Sequence, residues 1–249
     1  MKMDATTTDI AAALSALTHQ YETIAHNLAN ANTVGFKRRL SVFALQDGLT
    51  GGAPASPTAA TQAAVGIAGN DAVDFSQGRL VHTGRSLDVA LHGKGFFVLE
   101  TDRGDRYTRN GIFRTNAQGQ LVDAQGRTVA GQGGPLTIPP TVSPMQVEIA
   151  EDGRILAAGA EIGQFRVVEF EDPKALTPVG ENVFEAPAGA RPDPAADTTV
   201  QQGFQEGSNV KAVHELVALI QVARTYEANV KIVQAASDRG KELIRVAMA

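Results

Sequence analysis

Two rows of apolar side chains, one near each end of the chain, constrain what this sequence can fold into more than anything between them. Near the N-terminus, Ile10, Leu14, Leu17, Tyr21, Ile24 and Leu28 follow one another at steps of 4, 3, 4, 3 and 4. That spacing is the a/d seam of a helix that lies lengthwise along another helix. It predicts a helix from about Thr8 to Thr33, and roughly 25 residues at 1.5 Å rise would run roughly 37 Å. The turn Asn30-Ala31-Asn32-Thr33-Val34-Gly35 should end it, with Gly35 as the cap. Near the C-terminus, Val213, Leu216, Ile220, Ala223, Val230 and Val233 form a second stripe, which Leu243 and Val246 extend. This predicts a helix from about Asn209 to the end, capped by Ser208 or Asn209 and weakened near Gly240. A lone helix cannot bury its own stripe, so the two are expected to pair and to offer their remaining faces to other subunits.

Between the stripes the pattern changes. Residues 48–70 mix Gly-Gly, Ala-Pro and Ser-Pro steps with Thr, Ala and Gln and show no period, which reads as a linker. Beyond it, Leu87-Asp88-Val89-Ala90-Leu91 alternates, Gly95-Phe96-Phe97-Val98-Leu99 reads as a buried strand, and residues 165–170 as another. Turn signals recur at Asp102-Arg103-Gly104, Asn110-Gly111, Gln118-Gly119, Gln125-Gly126, Gly133-Gly134-Pro135 and Glu151-Asp152-Gly153. Short strands between regular turns predict antiparallel hairpins, and the lack of interrupting helical periods argues against a βαβ nucleotide-binding sheet. The expected class is α+β: long terminal helices paired as a coiled-coil-like domain, around a central antiparallel all-β domain. The expected boundaries are 1–40 for the first helix and its turn, 41–71 for the linker, 72–200 for the β-rich domain and 201–249 for the second helix.

Composition removes several kinds of chemistry. The formal net charge of −5 is the wrong sign for a nucleic-acid binder. The chain has no Cys, so disulfides, thiolate metal sites and cysteine nucleophiles are excluded. The opening MKMDATTTDIAAAL lacks the basic and continuous apolar regions of a secretory signal, and no stretch approaches a membrane span. His82, Asp88 and His92 fall close in sequence but on strand positions separated by a turn, and Gly93-Lys94-Gly95 lacks the third Gly and following helix of a dinucleotide fingerprint. No P-loop, His-Glu-x-x-His or Gly-x-Ser-x-Gly pattern occurs. No catalytic, cofactor-binding or metal-ligating residue is therefore assigned, and no enzyme activity is expected. Lys37, Arg38 and Arg39 read as a solvated basic cluster beside the negative end of the first helix.

Several short blocks carry a family resemblance. Asn27-Leu28-Ala29-Asn30-Ala31-Asn32-Thr33-Val34-Gly35-Phe36-Lys37 resembles the N-terminal signature of flagellar rod and hook axial proteins. Asp74-Phe75-Ser76-Gln77-Gly78, Leu87-Asp88-Val89-Ala90-Leu91, Gly93-Lys94-Gly95-Phe96-Phe97-Val98 and Arg106-Tyr107-Thr108-Arg109-Asn110-Gly111 are similar to the family's central block. Glu206-Gly207-Ser208-Asn209-Val210 and Ala223-Arg224-Thr225-Tyr226-Glu227-Ala228-Asn229 are similar to its C-terminal signature. The blocks stand in family order across nearly the whole chain. Within the family, residues 106–111, Gly133-Gly134-Pro135 and the modest length most resemble proximal-rod members, with distal-rod members the close rival.

The resemblance implies a structural subunit of the flagellar basal-body rod, exported unfolded through the flagellar type III apparatus and polymerised helically to carry torque from motor to hook. Its implied partners are copies of itself, other rod and hook axial proteins, and that export apparatus; neither nucleic acid nor membrane insertion is expected. The expected assembly interface comprises the first seam (Ile10, Leu14, Leu17, Tyr21, Ile24, Leu28), the turn residues Asn27, Asn30, Asn32, Gly35 and Phe36, and Val213, Leu216, Ile220, Tyr226, Val230 and Val233 of the last helix. The alternatives are a distal-rod or hook-type subunit, and a β-domain adhesin with a helical stalk.

Overall fold

A computed structural model of the chain describes residues 3–46 and 66–248. It divides into two compact units, each assembled from separated stretches of sequence. One comprises Met1–Ala29, Arg39–Ala72 and Lys211–Ala249, the other Asn30–Arg38 and Val73–Val210. The fold is α+β with a mostly antiparallel central region, as the patterning implies.

The first unit carries both long helices. Helix α1 spans Met3–Ala29 and stops at the Asn-rich turn. Helix α2 spans Ala212–Ala247 and runs unbroken through Gly240. Ser208 and Asn209 do not cap it, because the helix starts later and the Asn209 side chain is engaged within the other unit, accepting from Arg38 N at 2.7 Å. Strands Arg39–Gln46 and Gly66–Val73 pair as a two-stranded sheet. These strands occupy both ends of the stretch that the sequence suggests is a linker; the rest of that stretch, 47–65, lies outside the described residues.

The second unit is built around strand Phe96–Thr101. It pairs antiparallel with Gly104–Thr108 across the turn at Asp102-Arg103-Gly104, and also with Thr128–Gly131 and Val167–Glu169. Side chains of a strand alternate between faces, and here both faces are buried. Phe97 and Leu99 enter a core with Val89, Leu91, Phe113 and Phe165, while Phe96 and Val98 enter a second core with Tyr107, Phe170 and Phe184. That explains a run of consecutive apolar residues where a one-sided strand would alternate. The rings meet edge to face, Phe97 with Phe113 at 5.1 Å and Tyr107 with Phe170 at 4.8 Å, a geometry favoured by the ring quadrupoles. Most expected turns are present, and at 104, 119, 126, 134 and 153 the glycine takes positive φ.

Asn110-Gly111 differs. Gly111 does not take positive φ; a Cβ there would fall 1.7 Å from the carbonyl oxygen of Val89, so the glycine permits close backbone approach.

The unit is closed by residues far apart in sequence. Thr199–Gln202 pairs with Val89–His92, and Phe204–Glu206 pairs with Leu80–His82. The β-rich unit therefore extends past the expected boundary at 200 and also takes in the turn 30–38.

Candidate assembly surfaces

Candidate functional surfaces lie in what each unit buries and what it leaves uncovered. In the helical unit, α1 and α2 lie in contact. Asn27, 1% exposed, occupies the last turn of α1. Its side-chain amide donates to Arg39 O and its side-chain oxygen accepts from Arg39 N, each at 2.8 Å, much as a strand neighbour would. The same amide approaches the buried Glu215 carboxylate of α2 at 3.4 Å. One turn earlier, the Thr23 hydroxyl lies 3.0 Å from His19 O and 3.4 Å from Asp71 Oδ1. Burial, reinforced by the Arg39 charge and opposed by Asp71, holds the His26 imidazole below its ordinary value of 6.5.

Along α1, Ile24 is buried, Leu14, Leu17 and Leu28 are half-buried, and Tyr21 is exposed. The side chain of Ile10 lies outside the described residues. Among the described side chains of α2 the buried positions are Glu215 and Val222, with Ala223, Val230 and Val233 half-buried. Val213, Leu216, Ile220 and Val246 of the stripe face outward, and the side chain of Leu243 lies outside the described residues. Val213 is 72% exposed, and Leu216, Val217 and Ile220 are 47–50% exposed, with Tyr226 also exposed. A helix can thus present two apolar faces, one covered within the unit and one not. The spacing of the stripe does not by itself say which face is covered.

The turn that follows α1 belongs to the β-rich unit. Thr33 N donates to Asn30 O at 3.1 Å, and Asn182 Nδ2 donates to Val34 O at 2.9 Å. Gly35 takes φ +70°, donates to Glu206 O at 2.7 Å and leaves no room for a Cβ, which would sit 2.6 Å from Asn110 N. Phe36 is buried, whereas Asn32 is exposed.

Lys37 corrects the expectation of a solvated basic cluster. Its side chain is 0% exposed, and Nζ donates to Glu206 Oε1 at 2.6 Å and to Ser76 O at 2.7 Å. Burial pulls the Lys37 amine below its ordinary value and Glu206 opposes that shift. Arg109, equally hidden, places NH1 3.5 Å from Glu206 Oε2, donates to Gly93 O at 2.7 Å and lies 5.0 Å over the Phe96 ring. Sequence patterning does not reveal this cluster, because pairing partners 169 residues apart leave no local signal. Its only trace is that Lys37, Arg109 and Glu206 each fall within one of the short blocks 27–37, 106–111 and 206–210.

The histidine constellation disperses. His82 stacks edge to face on Phe204 at 4.9 Å, and His92 is exposed. Asp88 is buried and accepts from Thr83 Oγ1 and Gln205 Nε2, each at 2.7 Å. Among the described residues, no group of three or more His, Cys, Asp or Glu could hold a metal ion. No helix of the described residues is long and apolar enough to cross a membrane.

Three family models match the chain in order: a flagella basal body rod protein segment at 11–37, the flagellar hook protein FlgE/F/G D1 domain at 90–157, and the flagellar basal body rod FlgEFG protein C-terminal segment at 201–246. The flagellar basal-body rod protein FlgF of Caulobacter vibrioides is 33% identical over 93% of this chain and 91% of its own length. This chain belongs to the flagellar basal-body rod protein family. FlgG of Agrobacterium fabrum is also 33% identical, over 87% of this chain and 89% of the relative. FlgF of Salmonella typhimurium is 33% identical over 89% of each. Members of the rod family are structural proteins of the basal body, not enzymes, and they assemble into the rod with other axial proteins. The matched segments at 11–37 and 201–246 hold most of α1, the Asn-rich turn and nearly all of α2.

Proposed function

We propose that this rod protein is a proximal-rod subunit, exported unfolded by the flagellar type III apparatus and polymerised helically through its terminal helices. The observation that carries the reading is the row Val213, Leu216, Val217 and Ile220, which its own unit leaves exposed on α2. An apolar stripe of this kind is unfavourable in water and is satisfied when a neighbour covers it. Repeating a heterologous contact by a helical operator gives an open tube, and long seams spread torsional load over many weak contacts. Within each subunit, α1 and α2 pair in coiled-coil fashion, a reading supported by buried Ile24 and Val222 and by the Asn27–Glu215 contact. The residues expected at the interface divide accordingly. Leu216, Ile220, Val213, Tyr226 and Tyr21 face neighbours, whereas Asn27, Gly35 and Phe36 hold the subunit's own turn. Absence of Cys suits a chain that travels unfolded.

The proximal position rests on residues 106–111, on Gly133-Gly134-Pro135 and on chain length. A distal-rod position is the second reading, favoured by the equal identity to a FlgG relative. Electron microscopy of purified basal bodies carrying a labelled copy tests the choice: density at the motor end is expected, and density next to the hook overturns the proximal reading. A chain lacking residues 211–249 should be absent from such basal bodies, and its normal incorporation would sink the terminal-helix model.

A further inference from the structure

We propose that Glu206 is the closing latch of the β-rich unit, which keeps that unit open until the C-terminal part of the chain has been delivered. The carboxylate is 0% exposed and serves three partners: Lys37 Nζ at 2.6 Å and Gly78 N at 2.8 Å on Oε1, and Arg109 NH1 at 3.5 Å on Oε2. Arg109 meets it as a charge and not through a hydrogen bond. The backbone oxygen of Glu206 accepts from Gly35 N at 2.7 Å. Neighbouring residues do the same work. Asn209 accepts from Arg38 N at 2.7 Å and donates to Asp74 O at 2.8 Å, and Gly207 N donates to Arg79 O at 2.8 Å. The segments 35–38 and 74–79 therefore find their partners in 206–209, at the far end of the unit. A Cβ on Gly78 would sit 1.9 Å from Gly207 O, so the two stretches meet backbone to backbone.

Charge makes this more than ordinary strand pairing. Lys37 and Arg109 are buried cations that share the Glu206 carboxylate. Closing the unit without that carboxylate leaves two cations out of water with only the weaker fields of Asp74 on Lys37 and Glu169 on Arg109 to offset them, and removing one partner of a buried ion pair is strongly destabilising. A chain that emerges N-terminus first carries Lys37 169 residues ahead of its counter-charge. Until Glu206 arrives, the open form, with both cations hydrated, is favoured. In a subunit exported unfolded, the reading proposed above on which this use of the latch rests, the device delays folding until nearly the whole β-rich unit has passed.

The test uses the purified full-length chain and follows amide hydrogen exchange in residues 95–108, which report the β-rich unit alone. Glu206→Asp keeps the charge but shortens its reach. It should raise the unfolding rate about tenfold while refolding stays within about twofold, the pattern of contacts formed after the transition state. Refolding slowed by the same factor as stability is lost overturns the late closure. Glu206→Gln should speed exchange about 100-fold or more, and Lys37→Met with Arg109→Met and Glu206→Leu should bring it back to within about tenfold of the parent. If the triple variant exchanges as fast as Glu206→Gln, the lost charge is not the cause and the latch fails. These rates are independent of any rod. A late-closing chain that never enters basal bodies would sink the assembly reading alone, and an incorporated chain with early Glu206 contacts would sink the latch alone.

Discussion

The two units use apolar residues in opposite ways. In the β-rich unit Phe96, Phe97, Val98 and Leu99 are at most 1% exposed, and even the charges of Lys37, Arg109 and Glu206 are sealed inside. In the helical unit the large apolar residues of α2 at 213, 216, 217 and 220 stand open to solvent, and the buried positions of its first turns include a carboxylate, Glu215. One unit closes on itself; the other leaves a face uncovered. The contrast teaches that burial needs a partner, and that a helix without enough of its own chain around it leaves part of its stripe in water.

Breaking the closed unit should cost most. Phe97 touches two rings edge to face, Phe113 at 5.1 Å and Phe165 at 5.3 Å, and has no exposed surface. Phe97→Ala should destabilise the β-rich unit by about 3–5 kcal/mol, read as a lower urea midpoint for exchange in 95–108. Retention of the parental midpoint would mean that this core is not the one described. The helical unit should yield less to its own best-buried polar group. Asn27→Ala strands the N–H and C=O of Arg39 and should cost about 1–3 kcal/mol, seen as earlier loss of helical circular dichroism with the β-rich unit unchanged. Equal losses in both units would deny that they are separate compact bodies.

The same contrast decides how much of the molecule is legible in its amino-acid sequence. Local signals carry far. The Asn-rich turn does end α1, although at Ala29 and so four residues before the expected Thr33, and turn glycines at 104, 119, 126, 134 and 153 take positive φ. The run Gly95 to Leu99 is a strand because its two faces feed two cores. Non-local facts are illegible. Nothing near Lys37 announces a carboxylate at 206, so a residue that patterning makes solvated is in fact sealed. Gly111 resembles a turn glycine because the oxygen it makes room for belongs to the distant Val89. Asn209 resembles a cap and so suggests an earlier start for α2, while its side chain serves Arg38 and Asp74. For the candidate interface, spacing identifies an apolar stripe on α2 but does not say that Val213, Leu216 and Ile220 are left on the outside.

That outside face supplies a smaller effect on folding with a large one on assembly. Leu216→Asp with Ile220→Asp removes side chains that are already about half in water, so the stability of the isolated chain should fall by only about 1 kcal/mol per site. Incorporation into basal bodies and swimming should nevertheless be lost, because a carboxylate buried against a neighbour lacks a counter-charge. Normal swimming with this pair would show that α2 meets its neighbours through another face.

The smallest expected effect is electrostatic and confined to the helical unit. His26 binds its proton less readily in the folded chain than in the unfolded one, first because of burial and second because of Arg39, with Asp71 opposing. A depressed folded-state value means that the unfolded chain takes up more protons, so stability is present above the ordinary value of 6.5 and declines as pH falls through it. The imidazole is largely exposed, which screens the effect and keeps it small. Thermal unfolding followed by helical circular dichroism from about pH 8 to about pH 5 should therefore show a gentle fall in midpoint. His26→Gln removes the titration without removing polarity, so its curve should be flatter, and the difference between the two curves separates His26 from every other group that titrates. Parallel curves across that range would assign the acid sensitivity elsewhere. Because exchange in residues 95–108 reports only the β-rich unit, that signal should not respond to the substitution at any pH, which keeps the contrast between the units measurable even where the shift itself is slight.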